Sequence, residues 1–217
     1  MAGRPEVVEF RAPGAGELAR AVEGAHRIVA AGDDQRPPPS CPPRRMPAKR
    51  GARQSRDEDA EGRMDEVYQL RRATAADAAA VRALTREAYA KWVPLIGREP
   101  KPMTADHEAA IRDHRVDALC EGGRIVALIE TIAEPDALLI ENLAVSPAWQ
   151  GRGLGRRLMA RAEALALSLG YREVRLYTNA LFVDNLAFYA RLGYAATGET
   201  PFLGGRIVHM RKRLGPA

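Results

Sequence analysis

The sequence predicts a mixed α/β domain in which helices flank a central sheet. From Met64 onward, strand-like and helix-like segments follow one another in the order β-α-α-β-β-β-α-β-α-β-β. Of the 217 residues, 46% are apolar, which is enough to fill a core. The charge is mild, with 33 basic and 28 acidic residues, so it neither requires nor excludes a polyanionic partner.

The first half of the domain begins with Val67–Arg71, which alternates in polarity and is predicted as a strand. Thr74 is a predicted N-cap for an alanine-rich helix that runs to about Lys91. Residues 92–103 contain three prolines and a glycine and are therefore predicted as a loop. A short polar helix is predicted over Asp106–His114, with its two histidines at the surface.

The second half begins with a hairpin, because Gly122-Gly123 separates two strand-like segments, Ala118–Glu121 and Arg124–Ala133. Ala137–Val145 is the most apolar predicted strand of the chain, and a glycine-rich turn connects it to a helix that ends at Leu169. The remaining segments are a strand, a helix and two strands, predicted at Glu173–Thr178, Val183–Leu192, Tyr194–Thr200 and Arg206–Lys212.

The composition divides the chain into residues 1–63 and residues 64–217. The first part has 12 basic and 10 acidic residues, a proline-rich tract, and almost no large apolar residue over 31–63, so it cannot offset its chain entropy by burial. We expect it to be a disordered extension or a misassigned start, with Met64 as the alternative beginning. Its basic run lacks interleaved aromatic residues for base stacking, so no nucleic-acid partner is predicted.

Several kinds of site and location are not expected. Cys41 and Cys120 are too few and too far apart for a disulfide framework or a cysteine metal site, and no metal is predicted. No apolar run approaches 18 residues, and acidic residues interrupt the N-terminus where a signal peptide would be apolar. The sequence therefore predicts a cytoplasmic protein without a membrane partner.

The glycine turn after the most apolar strand is the most informative segment. Gly151, Gly153 and Gly155 lead directly into a helix, whose first turn offers unpaired N–H groups at the positive end of its dipole. Arg152 and Arg156 add positive charge. These features predict a phosphate or pyrophosphate site. The spacing matches neither the dinucleotide fingerprint nor the P-loop.

Two motifs together point to a known family. Gln150–Gly155 fits the pattern Q/R-x-x-G-x-G/A, and some thirty residues later the chain reads Asn-Leu-Ala-Phe-Tyr-Ala-Arg-Leu-Gly-Tyr over 185–194. This combination resembles the GNAT superfamily of acetyl-CoA-dependent N-acetyltransferases, over about residues 67–214. The resemblance implies a mixed, mostly antiparallel sheet whose fourth strand splays from the fifth, with acetyl-CoA in the gap.

The resemblance also implies a set of cofactor-binding residues. Strand residues would bond the pantetheine arm through their backbone, turn residues would hold the pyrophosphate, and one helix residue would meet the cofactor arm. The strand residues are Leu143, Ala144 and Val145; the turn residues are Gln150, Gly151, Arg152, Gly153, Leu154, Gly155 and Arg156; the helix residue is Asn185. A helix-capping role for Asn185 is the alternative.

The chemistry of acetyl transfer requires a base for the amine and an acid for the departing thiolate. Tyr189 is the predicted acid, since a phenol is a suitable donor; a role in the core is the alternative. Glu141 is the predicted base, because strand alternation puts it on the face of Leu143 and Val145, with Asn142 opposite. Glu130 is the alternative base.

The resemblance implies that the acceptor enters at residues 88–104, and the end of the fifth strand is expected to add to the lining. Four apolar residues would form a wall there, two charged residues would select the acceptor, and two strand residues would add to the lining. In that order they are Tyr89, Trp92, Ile96 and Met103; Arg98 and Glu99; Tyr177 and Asn179.

Predicted acceptors are a small primary amine, an amino acid or a peptide N-terminus, and a homodimer is left open. The alternative function is a catalytically silent acetyl-CoA sensor or partner-binding module. Cys120 is not expected to act as a nucleophile, because no histidine is paired with it in the predicted fold.

Overall fold

The computed structural model describes residues 67–215. Within this range seven strands form one sheet in the order β1-β2-β3-β4-β5-β7-β6. Neighbouring strands are antiparallel except for β4 and β5, which are parallel. The strands are β1 Gln69–Arg72, β2 Arg115–Glu121, β3 Arg124–Ala133, β4 Leu138–Val145, β5 Glu173–Asn179, β6 Ala195–Phe202 and β7 Gly205–Arg213. The predicted mixed α/β fold is confirmed.

Helices pack on both faces of this sheet. They are α1 Ala78–Tyr89, α2 Val93–Ile96, α3 Lys101–Thr104, α4 His107–Asp113, α5 Leu154–Ser168 and α6 Val183–Arg191. In the described part of the chain, no helix is long and apolar enough to cross a membrane.

The core consists of two clusters, one on each face of the sheet. The larger cluster lies under α5 and includes Leu154 and Leu158, whose relative exposures are 1% and 0%. The smaller cluster lies under α1 and includes Val81 and Leu84. The N-terminal end of the α1 segment forms where predicted, since Thr74 and Asp77 make a capping box that satisfies backbone N–H groups. The two clusters fix the position of β4 between the helices.

Two predictions for the first half are wrong. Residues 92–103 are not an open loop, because α2 and α3 form there with proline in their first turn, where its missing N–H costs no helical hydrogen bond. His107 is not at the surface: it is 1% exposed, and burial lowers the pKa of its imidazole. His114 is half-buried against Glu130. The predictions for residues 1–63 and for a start at Met64 lie outside the described residues.

Strand β4 contains a bulge, which changes the face of the sheet to which its later side chains point. Glu130 of β3 pairs with Asn142 and Thr131 pairs with Ile140, so Glu141 is an extra residue. Ile140 therefore packs in the cluster under α5, whereas Ala144 packs in the cluster under α1. In an unbroken strand, residues four apart would share a face.

Candidate active site

Strands β4 and β5 separate halfway along β4. Their parallel pairing runs from Leu138–Val174 to Ile140–Leu176, and residues 141–145 have no partner on β5. The gap begins at the bulged residue Glu141. An open gap in the middle of a sheet leaves backbone polar groups that a ligand can satisfy.

The hydrogen-bond ladder decides which β4 backbone groups face this gap. The N–H of Ser146 donates to the carbonyl of Val126, so Ser146 and every second residue before it bond to β3. The backbone of Ala144 therefore faces β3, while that of Leu143 and Val145 faces the gap. Among the three predicted strand residues, Leu143 and Val145 therefore present their backbone to the gap, where the carbonyl of Leu143 accepts from the hydroxyl of Tyr89 and that of Val145 from the amide of Gln150.

The glycine turn presents a row of backbone donors. Gly151 and Gly153 have φ of 77° and 81°, a conformation that side chains other than glycine rarely adopt. The first hydrogen bond of α5 is from the N–H of Arg157 to the carbonyl of Gly153. Within residues 67–215, the six N–H groups from Gly151 to Arg156 donate to no backbone carbonyl. This row at a helix N-terminus is suited to an anion.

Side chains around the turn fix its shape. The amide of Gln150 donates to the carbonyl of Val145 at 3.1 Å, which ties the turn to the open strand. Arg152 instead bonds the hydroxyl of Tyr68 and the carbonyl of Ala148, so its side chain braces the turn. Helix α6 approaches closely at Gly155, where an added Cβ would lie 3.4 Å from the ring of Phe188.

Two cavities open on the gap from opposite ends. The turn cavity, of about 380 Å³, is lined by the turn and by Val145, Arg156 and Phe188. The gap cavity, of about 310 Å³, is lined by Glu141, Tyr177, Asn179 and the edges of α2 and α3. Four residues line both cavities and so form their junction: Tyr89, Leu143, Asn185 and Tyr189. Both volumes are typical of small-ligand sites.

Tyr189 lies at this junction and is 8% exposed. Its ring packs against Phe188 and Tyr194 at centroid distances of 5.3 and 6.2 Å. Burial raises the pKa of its phenol, so the hydroxyl stays protonated at neutral pH. Among the described residues no group accepts a hydrogen bond from this hydroxyl, which leaves it available to a ligand.

Glu141 lines the gap cavity but is already engaged. Its carboxylate accepts from the ammonium of Lys101 at 2.7 Å and from the hydroxyl of Tyr177 at 2.6 Å. The hydrogen bond to Glu141 is the main cause of a raised pKa of Lys101. Burial, with the bond to Glu141, raises the pKa of Tyr177 to about 12. The three groups therefore form one charged cluster on the α3 side.

The predicted face of Glu141 is wrong because of the bulge. Glu141 meets Lys101 of α3, and Asn142 contacts Thr85 and the hydroxyl of Tyr89 on α1, so both project toward these helices. Leu143 and Val145 pack on the cluster under α5. Alternation cannot be carried through an extra residue.

Glu130, the alternative base, lies in an adjoining cavity. This cavity shares Lys101, Glu141 and Asn142 with the gap cavity. Glu130 is 5% exposed, and its carboxylate lies 2.6 Å from Nδ1 of His114. Its carboxylate is thus paired with a histidine, outside the lining of the gap cavity.

The predicted acceptor region is only partly brought together. Ile96 and Arg98 line the gap cavity, whereas Trp92 lines the turn cavity and stacks on Phe182 at 4.3 Å. Met103 is the buried residue of α3 and lines neither cavity. Glu99 forms an ion pair with Arg86 and lines neither cavity. The two strand residues predicted for this region both line the gap cavity.

Of the predicted cofactor-binding residues, all but Ala144 and Arg152 line one or both cavities, as do Tyr189 and Glu141. Sequence reasoning missed the junction role of Tyr89 and the pairing of Lys101 with Glu141. No signal marks Lys101, because its position depends on a short helix in a segment rich in proline. Cys120 is buried in the smaller cluster. In residues 67–215 no group of side chains is suited to hold a metal.

Comparisons with known proteins agree with this geometry. A family model described as the acetyltransferase (GNAT) family matches residues 79–194. The chain is 43% identical over 67 residues to N-alpha-acetyltransferase 80 of Mus musculus, which is 31% of this chain and 20% of that protein. It is 39% identical over 84 residues to mycothiol acetyltransferase of Jonesia denitrificans, which is 38% of this chain and 27% of that protein. The matches therefore span about a quarter or less of these relatives.

Solved structures share the fold. The PaiA N-acetyltransferase of Thermoplasma acidophilum, in complex with coenzyme A, superposes with a TM-score of 0.58 at 18% identity, covering 67% of this chain and 98% of that one. The ribosomal-protein-S18-alanine N-acetyltransferase of Escherichia coli superposes with a TM-score of 0.57 at 20% identity, covering 69% and 96%. At these identities the likeness concerns the fold.

Proposed function

The chain belongs to the acetyltransferase (GNAT) family, and we propose that it transfers the acetyl group of acetyl-CoA to a primary amine by direct attack. The observation that carries the proposal is the junction of the two cavities at Tyr189. A cavity with a row of backbone donors meets, at one buried phenol, a cavity with a carboxylate. This arrangement brings an acyl donor and an amine together from opposite ends.

The turn cavity fits the donor. The row of N–H groups from Gly151 to Arg156 would hold the pyrophosphate, with Arg156 in the cavity lining. The gap-facing backbone groups of Leu143 and Val145 would bond the amides of the pantetheine arm, and Asn185 would contact this arm from α6. Acetyl-CoA supplies an activated thioester, whose carbonyl carbon accepts the amine nitrogen.

The residues of the chain then manage two protons and one developing charge. Glu141 takes a proton from the amine, which must be neutral to attack, and for this it must give up its bond to Lys101. A gap-facing N–H of Leu143 or Val145 stabilises the negative charge on the carbonyl oxygen. Tyr189 donates its proton to the sulfur as the carbon–sulfur bond breaks. The carbon–nitrogen bond replaces the carbon–sulfur bond, the second proton that the nitrogen loses restores the phenol of Tyr189, and the proton on Glu141 passes to solvent.

The pairing of Glu141 with Lys101 favours a second candidate, a catalytically silent acetyl-CoA sensor. An ammonium of the chain already occupies the predicted base, as a substrate amine would. In a sensor this contact would persist when acetyl-CoA binds. In an enzyme an acceptor would displace it.

Release of the CoA thiol across a panel of primary amines separates the two candidates. We expect thiol release that depends on both the amine and the protein, with the N-acetyl product identified by mass spectrometry. Acetyl-CoA that raises the melting temperature, but yields no thiol with any amine in the panel, would favour the sensor.

A further inference from the structure

The gap cavity is lined by more positively charged than negatively charged side chains. Three charged side chains contribute to its lining: Glu141, Lys101 and Arg98. The remaining lining is polar or apolar, and Ile96, Phe202 and Ile207 contribute aliphatic or aromatic surface. One carboxylate therefore faces two cations, which gives the lining a net positive charge of one.

The carboxylate is neutralised within the protein. Lys101 lies 2.7 Å from Glu141, which has only 18% of its side chain exposed. The third group of this cluster, the hydroxyl of Tyr177, occupies the other oxygen of Glu141. The negative charge in the cavity is thus balanced before any ligand enters.

Arg98 has no such partner among the described residues. Its guanidinium lies 5.4 Å from the ring of Phe202 and makes one long hydrogen bond, 3.4 Å, to the carbonyl of Glu99. The carboxylate of Glu99, the nearest in sequence, is bound to Arg86 instead. A half-buried guanidinium on an aromatic ring, with most of its donors unused, is an open site for a planar anion.

We propose that the acceptor is a primary amine that carries a carboxylate beside an apolar side chain, as an amino acid does. Arg98 binds the carboxylate in the two-pronged geometry of a guanidinium, and the acceptor ammonium displaces Lys101 from Glu141. The apolar surface of Ile96 and Ile207 receives the side chain. A simple amine would bring only positive charge to a cationic cavity. This inference rests on the proposed acetyl transfer and selects one of its acceptor classes.

The test compares apolar amino acids with their own derivatives. Each acceptor, for example leucine, is assayed beside its carboxamide and its decarboxylated amine, and kcat/KM is measured by thiol release. We expect the amino acid to exceed both derivatives by about tenfold or more, since a charged hydrogen-bonded pair is at stake. In Arg98→Gln the preference should fall to within about threefold, because the KM for the amino acid rises.

Two further variants keep the test decisive. Arg98→Lys keeps the charge but not the fork, and should retain part of the preference. Arg112→Gln, on the exposed face of α4, is the matched control and should retain all of it. Melting temperatures check that each variant is folded. No amino acid exceeding its carboxamide in the parent protein, or a preference that survives Arg98→Gln, overturns the inference while acetyl transfer stands. Absence of transfer to any acceptor, including unrelated amines, overturns the proposed function itself.

Discussion

The two cavities that meet at Tyr189 are lined by different kinds of chemical group. The turn cavity depends on backbone groups that come from one continuous segment, Gly151–Arg156, and on two glycines with positive φ. The gap cavity depends on side chains that come from α2, α3, β4, β5 and the β6–β7 hairpin. Backbone donors bind an anion whatever the neighbouring side chains are, whereas a side-chain lining defines one kind of ligand. The first is suited to a constant donor and the second to a particular acceptor.

The largest expected effect tests the turn cavity, whose donors are backbone N–H groups. Gly153→Val should abolish the rise in melting temperature that acetyl-CoA causes, because valine strains a φ of 81° and places a side chain before the N–H row. The expected loss is the full ligand stabilisation, about 2.7 kcal/mol at a hundredfold excess over Kd. Thermal unfolding with and without acetyl-CoA measures it.

Gly123→Val is the matched control for this change. Gly123 has a φ of 82° and open space around its Cβ position, but it lies in the β2–β3 turn away from both cavities. This variant should lose intrinsic stability and keep the full shift with acetyl-CoA. An unchanged shift in Gly153→Val would place the cofactor elsewhere.

The next effect tests the junction. Tyr189→Phe should lower kcat by about 10²–10⁴-fold while leaving the acetyl-CoA shift intact, because it removes only the transferable proton. Tyr194→Phe changes a neighbouring buried tyrosine, 6.2 Å away, and should keep kcat. Steady-state kinetics decide the matter. A turnover within about threefold of the parent would make Tyr189 a core residue and water the acid.

A smaller effect tests the gap cavity, which is lined mainly by side chains. Glu141→Gln should slow turnover by about 10²-fold at pH 7 and make the rate climb with pH toward the pKa of the free amine, about 10.4 for an alkylamine. Without a base, only amine that is already neutral can react. A pH–rate profile that matches the parent's would transfer the role to Glu130 or to solvent.

The smallest effect concerns residues outside both cavities. Within residues 67–215, all lining residues fall between Ala88 and Ile207. A chain that begins at Met64 should therefore fold, bind acetyl-CoA and turn over within about twofold of the full chain. Circular dichroism, the acetyl-CoA shift and kcat/KM check this. Loss of folding or cofactor affinity would show that the upstream part packs on the domain.

Sequence reasoning reached the two cavities unequally, for a physical reason. The strand–turn–helix unit with its glycines is local, so an anion site could be predicted from one short segment, and the roles of its residues followed from the family resemblance. Glu141 lines the gap cavity, but its face was predicted wrongly, because a bulge leaves no mark in the hydrophobic pattern. Lys101 lies on α3, and Arg98 lies on the connection between α2 and α3, two four-residue helices with proline as their second residue in a segment predicted as loop. Tertiary packing, not local propensity, places such short helices.

The extra residue in β4 makes the site depend on the number of residues in this strand. Residues 138–140 pair with both β3 and β5, whereas residues 142–145 pair with β3 alone. The alternation of side chains between the two faces of the sheet shifts by one residue at Glu141. Removal of Glu141 would leave Ile140 and Asn142 opposite adjacent residues of β3, restore regular alternation and allow β5 to pair along the whole strand. The opening would close although every remaining residue kept its chemical nature. Insertions and deletions in this strand are therefore expected to be tolerated less well than substitutions.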